Sequence, residues 1–333
     1  MLDVIIVGQG IAGSTLAYKC MQQGYRIKII SSPDKSATSL VAAGLMQAVT
    51  GLFLTVSQQN IKYLTTAVKF YQSLEQVFNT TFITPHTCYR YLNPIQIKKW
   101  EKKRYQTLAK EYIGEHFVPS PAGINPALKF IHTFPTYCVQ PERLLDRLTS
   151  YFKHESVLLN NTFTEKNICI KKDHISYDGI KARYIILCLG HHSASSSLYE
   201  SYSFDNVKGE TMTINNLDQN YSDVYQGRQW MVPFAKNVYR IGATYSRNNK
   251  LEPTEEGLSV LTQFLTTLAI KKFSIKQHNA GIRCVLNNGI PLVESLPSHP
   301  RLLSFTGFGS KGFMTCPWYA DRLIRNLAQV MKK

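Results

Sequence analysis

The sequence predicts an α/β protein in which a Rossmann-type dinucleotide-binding domain, a parallel sheet with flanking helices, carries an inserted α+β domain with an antiparallel sheet. Three observations predict it. A strand-like run, Asp3-Val4-Ile5-Ile6-Val7, breaks into Gly8-Gln9-Gly10-Ile11-Ala12-Gly13 and then a helical pattern. The end of the chain returns to strand, glycine turn and helix over residues 302–305, 307–312 and 317 to about 330. Between them, residues 207–245 alternate in polarity as an antiparallel sheet does.

The opening βαβ unit is the clearest element. The first run is apolar and rich in β-branched side chains, which suits a buried parallel strand. Ile11, Leu16, Ala17 and Cys20 then give a helix its apolar face, ending near Gly24, and residues 26–30 form the second strand. From Ser57 to about Lys110 the pattern predicts long polar-aromatic helices, with Val68, Tyr71, Leu74 and Val77 at helical spacing. Residues 118–135 hold four prolines and read as loop. Pro141 suits the first turn of a further helix, followed by short strands near 157–159, 168–171 and 184–189. Thr254 with Glu255 and Glu256 starts a helix with a capping side chain and acids in its first turn. Its buried face is Leu258, Leu261, Leu265 and Leu268. The alternation assigns 1–56, 136–206 and 290–333 to the nucleotide-binding domain, and 57–135 and 207–289 to the inserted substrate domain. A ligand between them is enclosed by both.

Bulk properties narrow the class. Apolar residues make up 44% of the 333, enough for two ordinary cores. No apolar run nears the roughly 18 residues of a membrane span, and the first residues enter a strand without a basic leader. The seven cysteines form no CxxC pair, as expected in a reducing compartment, so a cytoplasmic protein without a metal site is expected. His191 and His192, adjacent on a predicted strand, point to opposite faces and make poor joint ligands. The net charge of +16 suits acidic metabolites or nucleic acid. Its densest cluster, Lys98, Lys99, Lys102, Lys103 and Arg104, is equally a solvated helix face.

The loop at 8–13 follows a strand and opens a helix, the context that gives its glycines meaning. Gly8 permits the tight turn, Gly10 admits the phosphates and Gly13 lets the helix pack close. Ile11 and Ala12 begin a helix whose free N–H groups face the pyrophosphate. The acid usual at the end of the second strand is absent: Ser31 stands there, with Ser32 beside it and Asp34 slightly beyond. A serine bonds a ribose more weakly than a carboxylate does.

Further segments carry a family resemblance. They are Ser39-Leu40-Val41-Ala42-Ala43-Gly44, Ile185-Ile186-Leu187-Cys188-Leu189-Gly190, Ala280-Gly281-Ile282-Arg283 and Gly289-Ile290-Pro291-Leu292-Val293. The last is Thr306-Gly307-Phe308-Gly309-Ser310-Lys311-Gly312-Phe313. In this order they resemble the D-amino-acid oxidase superfamily, which includes glycine oxidase, sarcosine oxidase and the FAD domain of the bifunctional tRNA wobble-uridine modification enzyme. The likeness is faint over 57–135. Residues 241–247 and 307–317 lean toward the tRNA-modifying branch, whose methyltransferase domain this chain lacks.

The resemblance implies FAD, held non-covalently. Gly8, Gly10, Ile11, Ala12, Gly13, Ser31, Ser39, Ala43, Gly44, Gly190, Gly307, Gly309, Ser310, Lys311, Gly312 and Phe313 are its implied contacts. It also implies hydride transfer from an amine α-carbon to flavin N5, with the backbone N–H groups of Gly309 to Gly312 stabilising charge at the ring. Arg283 matches the position that grips a substrate carboxylate, a structural ion pair being the alternative. Lys311 adds charge beside the flavin or is an exposed loop lysine. Tyr245 and Tyr239, spaced evenly on one strand, face one side, so one of them lines the pocket or packs in the core. Arg228 and Trp230 are weaker candidates. Cys284 and Cys316 do not match a covalent flavin attachment. The leading function is an FAD-dependent oxidase or dehydrogenase of a small amine or amino acid. The alternatives are removal of a carboxymethyl group from a tRNA wobble uridine, with tRNA as partner, and a non-catalytic flavoprotein acting by interaction.

Overall fold

The computed structural model describes residues 1–32, 38–51, 53–216, 220–247, 250–297 and 299–331. Asp34 lies outside them. Two eight-stranded sheets organise the chain. In the first, the order is Ser295–Leu296, His299–Ser304, Ile180–Leu187, Leu2–Val7, Ile27–Ser31 and Leu158–Asn160, with a side hairpin of Ile168–Ile170 and Ile175–Tyr177. The central strand pairs in parallel with both neighbours. Val4, Ile5 and Ile6 are wholly buried, since helices and loops cover both faces.

The second sheet runs Phe273–Arg283, Val207–Asn216, Val238–Gly242, Trp230–Ala235, Val224–Gln226, Ile83–Tyr91, Phe130–Val139 and Leu45–Gln47. All its pairs are antiparallel except Val224–Gln226 with Ile83–Tyr91. Helix Glu255–Thr267 covers one face, burying Leu261 and Leu265, with Leu268 just past its end. Thr254 caps it by accepting from the Gly257 N–H. Leu258 is only partly buried.

Several elements differ from the sequence expectation. Between helices Gln58–Phe78 and Pro94–Lys103 lies the strand Ile83–Tyr91. Its paired neighbours stabilise it, and their placement is a non-local fact that helical spacing does not report. The proline-rich stretch becomes strand at Phe130. Pro135 is accommodated because the register slips opposite His86 to Cys88, where no regular ladder bond is required. The C-terminal helix begins at Gly312, ahead of Pro317. Proline cannot donate to the Phe313 carbonyl one turn back, and the buried Tyr71 hydroxyl donates to it instead, at 2.6 Å. That bond ties helix Gln58–Phe78 to the nucleotide-binding side, where Leu64, Tyr71 and Leu74 share a core with Leu16, Ile29 and Leu323.

The lysine cluster is engaged locally. Lys99 lies 3.3 Å from the Phe53 ring centroid, Lys103 donates to the Phe53 carbonyl, and Arg104 stacks on the buried Trp100. No helix among the described residues is long and apolar enough to cross a membrane.

Candidate functional site

The two sheets enclose a cavity of about 1070 Å³, at the upper end of the roughly 300–1,000 Å³ usual for small-molecule sites. Along one wall lie the C-terminal ends of the parallel strands. Strand order places the turn 307–312, the Gly190 segment, the Gly8 loop, Ser31 and Asn160 one after another along this edge. Four strand spacings make about 19 Å, a span suited to an extended dinucleotide.

The glycine loop leaves no room for side chains. Gly8 has φ +97°, and a Cβ there would lie 2.4 Å from the Cys188 carbonyl oxygen. A Cβ on Gly13 would lie 1.9 Å from the Gly8 carbonyl oxygen, so helix Ile11–Gln22 can start here only with glycine. The helix has no acid in its first turn, and Gly10 at its N-cap contributes no side chain. Ser39 Oγ accepts from the Ile11 N–H at 3.0 Å and closes over the loop. Gly44 has φ +66° and abuts Val139, joining the cavity wall to the second sheet.

Of the residues implied by the resemblance, Gly8, Gly10, Ile11, Ala12, Ser31, Ser39, Ala43, Gly44, Gly190, Gly307, Gly309, Ser310, Lys311, Gly312, Phe313 and Arg283 all line the cavity. Gly13 lies behind the loop. Tyr245 does not line the cavity: it follows the regular strand that ends at Gly242 and is 71% exposed, although it lies close enough to Arg283 to act on its charge. Tyr239 is fully buried on the opposite face, in the core under helix Glu255–Thr267. Arg228 lies off the cavity and Trp230 lines it.

Arg283 is held beside the turn 307–312. Val285, two residues on, bridges Phe308, and the Gly309 N–H donates to the Cys284 carbonyl at 2.9 Å. The guanidinium lies across Gly209, where a Cβ would meet Nη2 at 2.1 Å. It donates to the carbonyls of Lys208 and Thr244 at 3.4–3.5 Å, and among the described residues it makes no ion pair. Burial lowers its pKa, partly countered by the nearby Tyr245 hydroxyl.

Thr244 is itself anchored. Its Oγ1 accepts from the Glu210 N–H, and the Glu210 carboxylate is fixed by Lys208 Nζ at 2.9 Å and by the Thr254 N–H and hydroxyl. Burial acts to raise the Glu210 carboxyl, but the Thr254 N–H and Lys208 outweigh it and hold the carboxyl low. Gly209 and Thr211 face the cavity while Lys208 and Glu210 face away, following the two-residue period of the strand.

The turn itself differs from expectation in detail. The N–H groups of Gly309 and Lys311 are committed to the carbonyls of Cys284 and Phe308, because they close the turn. The start of helix Gly312–Met331 still points its positive end at the cavity. Lys311 lines the cavity as an exposed side chain, and partial desolvation by the surrounding wall lowers its pKa. Cys284 and Cys316 are buried thiols with pKa values raised by desolvation, not poised thiolates.

His191 and His192 were expected on opposite faces. They lie in the helical turn Gly190–Ser195, not in a strand, so their rings sit side by side, 4.1 Å apart and tilted by 34°. Burial, and then the neighbouring His192, lower the His191 pKa to about 4. No group of three metal-ligating side chains occurs among the described residues.

Sequence reasoning missed Gln47, Thr211 and Gln226 on the antiparallel face, and Asn160, Thr162 and Glu165 beyond Ser31. Gln47, Thr211, Gln226 and Asn160 are polar residues on strands, a signal too weak alone, and Thr162 and Glu165 lie in irregular chain or a short turn that carries none. The walls accommodate FAD: glycines for the pyrophosphate, a helix N-terminus aimed at it, and space past the turn 307–312 for a ring system.

Residues 3–325 match the model of a family described as FAD dependent oxidoreductase. A tRNA 5-methylaminomethyl-2-thiouridine biosynthesis bifunctional protein from Marinobacter nauticus is 23% identical over 98% of this chain and 55% of its own length. Its counterpart from Campylobacter fetus is 22% identical over 88% and 47%. The chain thus spans about half the length of these curated relatives. Among solved structures, glycine oxidase from Bacillus cereus has a TM-score of 0.84 at 16% identity, covering 99% of this chain and 95% of that one. Iminodiacetate oxidase from Chelativorans has a TM-score of 0.80 at 16% identity, covering 96% and 94%. At these identities the structures show the fold.

Proposed function

This chain belongs to the family of FAD-dependent oxidoreductases, and from that premise we propose that it oxidises the C–N bond of a small amine bearing a carboxylate, of the glycine, sarcosine or D-amino-acid type. The observation that carries this reading is Arg283: a mostly buried cation lining the cavity beside the glycine turn, without an ion-pair partner among the described residues. A guanidinium in that state suits a carboxylate, which it can grip through two parallel bonds.

Bound FAD supplies the two-electron acceptor. The chain's part is to hold the substrate. Arg283, steadied by the carbonyls of Thr244 and Lys208, fixes the carboxylate and so decides which C–H faces inward. The turn 307–312 and the start of the last helix present positive potential opposite it. Among the described lining residues the only carboxylates are Asp146, on helix Pro141–His154, and Glu165, bonded to Ser197, and neither belongs to this turn or to the antiparallel face that carries Arg283. No acidic side chain among the described residues is therefore placed to take the amine's proton, and the amine enters neutral.

A second reading has its own support. The curated relatives named above are tRNA-modifying proteins, and the net charge is +16. A carboxymethylaminomethyl group on a wobble uridine is a secondary amino acid, so the same Arg283 would serve it. Anaerobic flavin bleaching tests both readings. Glycine, sarcosine, D-amino acids and tRNA with or without that group are each mixed with the holoenzyme. Bleaching by a small amine supports the first reading, and bleaching by modified tRNA alone replaces it with the second. No bleaching by any of them removes both and leaves an interaction role.

A further inference from the structure

The second strand ends without the acid that usually receives the adenosine ribose, and the structure offers a replacement from elsewhere in the chain. Ser31 pairs in register with Asn160 on the neighbouring parallel strand, and the Asn161 N–H donates to the Ser31 carbonyl at 3.0 Å. The chain then runs from Asn160 to Lys166 along the same end of the cavity. Glu165 lies in this segment and is one of two carboxylates lining the cavity among the described residues. The other, Asp146, precedes by one helical turn Thr149, whose hydroxyl receives the Gln9 amide. That places Asp146 toward the phosphate-binding loop, where an acid opposes the pyrophosphate.

We propose that Glu165 is the ribose-binding acid of this chain, accepting hydrogen bonds from the adenosine hydroxyls of FAD in place of a carboxylate at position 31. Its side chain is oriented for this. Ser197 Oγ donates to Glu165 Oε2 at 2.5 Å, which steadies the carboxylate and leaves Oε1 for a hydroxyl. It makes no ion pair among the described residues, so no lysine or arginine competes for it. The replacement comes about 130 residues later in sequence, from the segment that follows the adjacent strand Leu158–Asn160 at the same sheet edge.

The test is a binding cycle on the apoprotein reloaded with flavin. Dissociation constants are read from flavin fluorescence for FAD and for FAD carrying 2′,3′-dideoxyribose at its adenosine, with wild type and Glu165→Gln. Charge-assisted hydrogen bonds of this kind predict about 10- to 100-fold weaker FAD binding in Glu165→Gln. They also predict that wild type discriminates against the dideoxy form whereas the variant does not. Wild-type FAD affinity in Glu165→Gln overturns the assignment. So does a variant that still discriminates between the two ligands as wild type does, since its loss then comes from loosened structure. Loss of discrimination in Asp34→Asn or Asp146→Asn, and not in Glu165→Gln, moves the role to that residue.

Discussion

The parallel sheet meets the cavity with its strand ends, and the antiparallel sheet meets it with a face. At the strand ends the contacts are backbone: glycines, a helix N-terminus and turns whose shape leaves no alternative. On the face they are side chains, Arg283, Thr211, Trp230 and Gln226, each presented by a different strand. A backbone-built wall recognises what all members of a family share, the dinucleotide. A side-chain-built wall can change one residue at a time, which is where substrate choice resides.

The largest effect is expected at the backbone wall. Gly13→Val puts atoms where the Gly8 carbonyl oxygen already lies, 1.9 Å from the new Cβ. Helix and loop must separate, costing about 3 kcal/mol by overpacking and removing the pyrophosphate site. The purified variant should be colourless, with a low flavin-to-protein ratio and a depressed melting temperature. A yellow protein with a normal melt would break the distinction between the two walls.

Arg283→Met tests the other wall. Removing one partner of a desolvated carboxylate pair costs about 2–5 kcal/mol, so kcat/KM for a carboxylate-bearing amine should fall about a thousandfold. FAD affinity should not move, because Arg283 stands on the face and not at the strand ends. Arg283→Lys should recover only part of the loss, since an ammonium lacks the paired geometry. Parallel loss of flavin and activity in both variants would contradict this division.

This contrast also decides what could be read from sequence. The glycine loop was legible because phosphate binding by a helix N-terminus demands glycines within six residues, directly after a strand. The turn 307–312 was legible only through the family resemblance, its glycines being set by a close turn before the last helix and not by phosphate. Gln47, Thr211, Gln226 and Glu165 were not. They converge from four separate stretches of chain, and no local spacing marks a polar residue on a strand, or in a turn as Glu165 is, as facing a cavity. Tyr245 shows the converse limit: regular alternation stops at Gly242, and although the chain pairs again with Lys208 at Ser246, Tyr245 between them is left exposed outside the cavity lining. The strand Ile83–Tyr91 was hidden similarly, its stability lying in partners at 130–139 and 224–226.

Between the walls lies the bond from Tyr71 to the Phe313 carbonyl, where helix Gln58–Phe78 is fastened to the helix that follows the glycine turn. Tyr71→Phe keeps the ring and leaves a buried carbonyl, already denied a donor by Pro317, without its partner. The expected cost is about 1–3 kcal/mol, read by urea unfolding of the apoprotein. Because the bond supports the turn from behind, flavin should still bind. An unchanged midpoint would mean that water reaches the Phe313 carbonyl once the hydroxyl is gone.

The smallest effect concerns His191, on the backbone wall but acting through its side chain. Burial and the adjacent His192 lower its pKa from 6.5 to about 4. Between these values the unfolded chain binds a proton at this position that the folded chain does not. Stability therefore rises with pH across that window and is lost as pH falls from about 6.5 toward 4. The ring is partly solvent-accessible, so its share of the slope is modest. His191→Asn cannot take up that proton in either state and should flatten the acid limb of a melting-temperature profile between pH 6.5 and 4, while leaving the neutral plateau close to wild type. An acid limb as steep as that of wild type would mean that His191 titrates normally in the folded chain. The half-buried His191 ring would then be better hydrated than its packing against His192 implies.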